Sequence, residues 1–117
     1  MRQSAHCIAR VNIDVGVATR EYTFIAPFNC QVAELHCAAD ASDGTDYATT
    51  TVVYGANTLV TSAAVQAADA VTVTTGVDNG QLAFIPAGAT FKLVVTFSGT
   101  AANVKGVNIA LWVERKR

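Results

Sequence analysis

The chain has 117 residues, 51% of them hydrophobic and only 15% charged, and its eight Lys+Arg against nine Asp+Glu give a formal net charge of −1. That length suits one domain with a self-supporting core. The charge balance argues against a nucleic-acid binder and against a polybasic membrane-surface protein, both of which need clustered cations.

The β-branched residues Val, Ile and Thr number 35, against 16 for Leu, Met, Glu, Lys and Gln combined. Branching at Cβ suits a pleated, half-buried surface, so the bias predicts an all-β fold. In chain order, residues 1–6 are expected to form an N-terminal arm. Cys7 to Val17 alternates, with Val11, Ile13, Val15 and Val17 opposite Arg10, Asn12 and Asp14. Glu21 to Ile25 reads as a second strand, interrupted at Ala26-Pro27-Phe28-Asn29 by a proline with no N–H to donate. Cys30 to Ala38 continues as a strand, with Ala33, Leu35 and Cys37 on one side and Glu34 and His36 on the other.

Asp40 to Asp46 is a polar loop with a turn signal at Asp43-Gly44. Strands are then expected over Tyr47 to Tyr54 and Thr58 to Val60, joined through Gly55-Ala56-Asn57. Ser62 to Ala70 is the one helical candidate, alanine-rich and capped by Thr61 or Ser62. Val71 to Thr75 and Gln81 to Ile85 resume strand character, the latter stopped by Pro86-Ala87-Gly88. The last third is clearest. Phe91, Leu93, Val95 and Phe97 alternate with Thr90, Lys92, Val94 and Thr96, and Val107, Ile109, Leu111 and Val113 alternate with Asn108, Ala110, Trp112 and Glu114 before a basic tail, 115–117. About eight strands with regular turn signals and at most one short helix predict an antiparallel β-sandwich, with a jelly-roll ordering preferred.

Chemistry-bearing constellations are sparse. The odd cysteine count (Cys7, Cys30, Cys37), with Arg2, His6 and Arg10 breaking any N-terminal signal-like apolar run, reads as small buried hydrophobes in a reducing compartment. Neither histidine has metal-ligand spacing, and no nucleophile–base–orienter set is visible, so no enzyme activity, catalytic residue, metal or cofactor is expected. Asp40, Asp43 and Asp46 beside Gly44 suggest calcium only weakly, because the glycine falls fifth and Thr51 stands where an EF-hand has glutamate; a solvated turn is the plainer reading. Trp112 falls on the face opposite Ile109, Leu111 and Val113, where it either packs under a second layer or anchors a contact. Together with Arg115, Lys116 and Arg117 it forms the candidate partner contact.

The segments Tyr22-Thr23-Phe24-Ile25-Ala26-Pro27-Phe28-Asn29-Cys30 and Leu82-Ala83-Phe84-Ile85-Pro86-Ala87-Gly88-Ala89-Thr90-Phe91-Lys92-Leu93, with the final long strand, give a texture that resembles the small jelly-roll head decoration, or cement, proteins of tailed bacteriophages. The similarity spans about residues 20–114. The resemblance implies a homotrimer, made in the host cytoplasm, that stands on the outer surface of an assembled head. There it would bridge major capsid protein subunits, with no nucleic-acid or membrane partner. It carries over no catalytic or ligand residue. The alternative is a glycan-binding tail or fibre module for host attachment, with Tyr47, Tyr54 and Trp112 as an aromatic platform.

Overall fold

The computed structural model describes residues 5–15, 19–42, 44–66, 71–75, 84–98 and 103–116. Among them run nine strands: β1 (Ala5–Val15), β2 (Arg20–Ile25), β3 (Cys30–Ala38), β4 (Ala48–Tyr54), β5 (Asn57–Thr61), β6 (Val71–Thr75), β7 (Phe84–Ile85), β8 (Thr90–Phe97) and β9 (Lys105–Arg115). They build two sheets, ordered β1-β9-β3-β6 and β2-β8-β4-β5, with the two-residue β7 added beside β3. Every pairing is antiparallel, and with β7 set aside the pairs are nested: β1 with β9, β2 with β8, β3 with β6, β4 with β5. A strand hairpin folded back on itself in this way and wound into two sheets is the jelly-roll order. The expected β-sandwich is therefore the fold.

Alternation drives the burial. In β8, Phe91, Leu93 and Val95 are buried while Thr90, Lys92 and Thr96 are exposed; in β9, Val107, Ile109, Leu111 and Val113 are buried. Three bulges insert one residue each, Ile8 in β1, Ala33 in β3 and Leu59 in β5. An extra residue lets two consecutive side chains share a face. This is why Val32 with Ala33, and Leu59 with Val60, are buried in succession.

Two expectations change. Residues 62–66 of the helical candidate are not helical: Val65 forms a bridge with Ala48, and Ser62 exchanges its N–H and hydroxyl with the backbone of Thr50. Pairing with β4 satisfies the backbone there, so alanine's helix preference has nothing left to gain. Residues 67–70, like Val17 and 81–83, lie outside the described residues. Ala5 and His6, expected in an arm, already belong to β1 and pair with Glu114 and Val113, while Arg115 is the last residue of β9 rather than the first of a tail.

Both prolines stand in bends that are stitched together. The Ala26 N–H donates to Ala89 O at 2.9 Å and the Gly88 N–H donates to Ala26 O at 2.8 Å. Gly88, at φ +81°, closes the turn begun at Pro86. At the opposite end, the side chain of Asp40 lies against Gly106, where φ is +65° and a Cβ would sit 2.6 Å from Asp40 Cγ. Gly44, at φ +82°, has open space around the same position. Gly44→Ala should therefore cost about 1–2 kcal/mol from the left-handed backbone alone. Gly106→Ala should cost at least about 1 kcal/mol more, because the crowding of Asp40 adds to it. Urea denaturation of the two variants checks the difference; equal losses would mean that Asp40 yields freely.

Candidate functional site

The strand order brings sequence-distant residues to one pole of the sandwich. Cys30 pairs with both Ile85 and Arg115, so the β2–β3 bend, the β7–β8 bend and the end of β9 converge. Between them is a cleft of about 500 Å³ lined by Pro27, Phe28, Asn29, Ala87, Arg115 and Lys116. Asn29 fixes its walls: its Oδ1 accepts the Ala87 N–H at 2.8 Å and its carbonyl accepts the Lys116 N–H at 2.7 Å. The Arg115 guanidinium carbon stands 5.0 Å from the centre of the Phe28 ring, within cation–π range. His6 meets the same ring edge-on, with centroids 5.4 Å apart. Arg115 and Lys116, two of the cations singled out in the sequence, thus face one cleft; Arg117 lies outside the described residues.

Trp112 is elsewhere, on the outer face of the β1-β9-β3-β6 sheet. It is half-buried, its ring 6.0 Å from that of His36, which in turn lies 3.3 Å from Glu34 Oε1. The indole N–H is buried with no acceptor among the described residues, which costs about 1–3 kcal/mol. A shallow groove of about 220 Å³ beside it runs past Arg10, His36, Ala110 and Val71. The candidate contact therefore divides into two places, a basic pole and a sheet face.

The outer face of the second sheet is nearly free of charge. Thr23 and Ile25 of β2, Thr90, Val94 and Thr96 of β8, and Thr49, Thr51 and Val53 of β4 lie on it. Its two charges, Glu21 and Lys92, are 3.2 Å apart and cancel. Ile25 is 65% exposed there; on the other sheet Val71 and Val73 are 67% and 50% exposed.

The remaining candidates resolve as follows. Tyr47 and Tyr54 flank opposite ends of β4, and Tyr54 packs on the core, so neither joins Trp112 in an aromatic platform. In the Asp40–Asp46 loop, the buried Asp46 carboxylate accepts from Asn103 Nδ2 at 3.0 Å. Ser42 Oγ accepts the Gly44 N–H at 3.2 Å and lies 2.6 Å from Gln66 O. Asp40 turns to Gly106. No group of three His, Cys, Asp or Glu side chains gathers among the described residues. Asp43 lies outside them.

Cys30 and Cys37 are fully buried in the core, and Cys7 is half-buried. Burial pushes the Cys30 thiol up to about 11 and pushes Cys37 up as well, the latter offset in part by Thr50 Oγ1 at 3.7 Å. Thiolate chemistry is disfavoured at both.

The fold and its sites define a jelly-roll β-sandwich with a basic pole and a charge-poor flank. No family model matches the chain, and no curated protein matches it. Among solved structures it is similar to a chain in the structure of infectious bursal disease virus Gx strain, at 13% sequence identity and a TM-score of 0.43 over 95% of this chain. It spans 32% of that chain's length.

Two outcomes are expected. EDTA should leave the melting temperature unchanged; a fall of several degrees would show a stabilising cation and revive the Asp40–Asp46 loop as its site. The buried thiols add a pH dependence. An acid whose pKa is raised on folding stabilises the fold fully below its unfolded pKa, and that contribution is lost as pH rises through the folded value. For Cys30 that window runs from the ordinary 9.0 to about 11. Stability should fall across it, and the fall should be shallower in the Cys30→Ala/Cys37→Ala double variant, as read from denaturation midpoints at each pH.

Proposed function

We propose that this chain is a structural subunit of a virion. In its specific form, it is a head decoration protein that binds the outer surface of an assembled phage head as a trimer and stabilises it by bridging major capsid protein subunits. The observation that carries this reading is the charge-poor outer face of the β2-β8-β4-β5 sheet, where Glu21 and Lys92 neutralise each other amid threonine and valine. Interface centres are depleted in charge, whereas soluble domains are typically about 25% charged overall. The jelly-roll order and the resemblance to decoration proteins support the same reading. Stabilisation would work by mass action: a protein that binds only the assembled lattice shifts it away from disassembly, and symmetric weak contacts add through avidity.

Light scattering on the purified chain at tens of micromolar should give a trimer of 12.2 kDa subunits, and a monomer would count against it. The decisive measurement is the copy number of this chain in gradient-purified particles from the source culture. Hundreds of copies, in fixed ratio to the major shell protein, are expected. A handful would move the chain to the tail and favour glycan attachment, and absence would overturn the virion reading.

A further inference from the structure

We infer that the cleft at the basic pole is a receptor for an acidic segment of a protein partner, taking a carboxylate side chain on Arg115 and Lys116 and its apolar neighbour against Phe28 and Pro27. Among the described residues six line the cleft, two of them cations and none acidic. Two cations on one apolar-walled cleft favour an anionic occupant.

The geometry also favours order before binding. Arg115 lies over the Phe28 ring, which His6 braces edge-on. A guanidinium already seated over a ring loses less freedom when its N–H groups take a ligand, and its fork of donors offers the two-pronged bond that matches a carboxylate. The two bonds of Asn29 lock the β7–β8 bend and the end of β9 at a fixed distance, so the cleft does not have to be organised by its ligand.

Chemistry selects the class of occupant. At about 500 Å³ the cleft is much larger than one carboxylate, and Pro27, Phe28 and Ala87 give it apolar walls. A segment with an apolar residue next to the acid fills both parts. A nucleic-acid backbone fits less well, because it presents a row of phosphates and draws its affinity from many cations, whereas the cleft has two and the chain is net −1. The inference rests on the virion reading only for where such a segment would come from.

The test is an NMR titration of the ¹⁵N-labelled full chain with the acetylated, amidated peptide Glu-Leu-Glu, and separately with Gln-Leu-Gln. The amide signals of Asn29, Ala87 and Lys116 should move and saturate with a Kd of about 1 mM for the acidic peptide. The neutral peptide should bind about tenfold more weakly, since it lacks the charge-assisted bonds. Arg115→Gln should abolish the response. Should that variant fail to fold, Lys116→Gln leaves the Arg115–Phe28 stacking in place and should weaken binding about threefold to tenfold. The inference is overturned by signals that stay still, by equal responses to the two peptides, or by a stronger response of the same amides to inorganic phosphate or oligothymidylate. A failed titration leaves the particle count untouched, and a chain absent from particles leaves the cleft untouched, so the two readings fail separately.

Discussion

The structure depends on β9 lying between β1 and β3. Its inward side chains Val107, Ile109, Leu111 and Val113 are all buried, and among the described residues its backbone is the only partner of β1 and one of the partners of β3. β8 holds the equivalent place in the other sheet, between β2 and β4. The two longest-range pairings of the nest thus await the last third of the chain. Closing such loops costs entropy before contacts repay it, and folds dominated by distant pairings form slowly. The same constraint sets the chemistry of the surface. Because Ala5 pairs with Glu114, the start and the end of the chain meet, and His6, Phe28 and Arg115 become neighbours although 109 positions separate the first from the last.

The bulges tune this frame. An antiparallel strand sends successive side chains to opposite faces, so a strictly regular β3 could not bury Val32, Leu35 and Cys37 together. The extra Ala33 resets the parity, and Glu34 and Trp112 then stand opposite each other on the outer face. The half-buried indole beside His36 follows from that registration.

Much of this was legible in the residues. The alternation of β8 and β9 marks both central strands, because large apolar side chains recur at every second position of each, Phe91-Leu93-Val95 and Val107-Ile109-Leu111-Val113. The bounds of β3 are legible from the breaks on either side, Pro27 before it and the Asp40 loop after it, although its bulge is not. The segment after β5 reads as helix because its alanines carry a local preference, while its backbone bonds are tertiary: Val65 to Ala48, Ser62 to Thr50. Neighbours in the chain contain no sign of that. The cleft was half visible. A basic tail can be read from a sequence, but Phe28 and Ala87 reach Arg115 only through pairing on β3, and nothing near any one of them announces the other two. The paired turn chemistry of Pro27 and Pro86 was the available clue, since two proline bends that flank β-strands must find backbone partners somewhere.

The jelly roll separates two kinds of surface. On the β2-β8-β4-β5 sheet the outward side chains, the Glu21–Lys92 pair apart, are uncharged and spread over a broad face, and contact there gains from area and costs little desolvation. At the pole the features are few and directional: a guanidinium held on an aromatic ring, an ammonium, and a hydrogen-bonded bend. Area-driven contact suits identical copies packed by symmetry, where the same patch is used repeatedly. Directional charge suits discrimination of a different partner, because a wrong charge in the cleft is penalised more than a wrong shape on the sheet. One small sandwich thus presents both kinds of surface, since the strand order places the charge-poor residues on a flank and the two cations at an end.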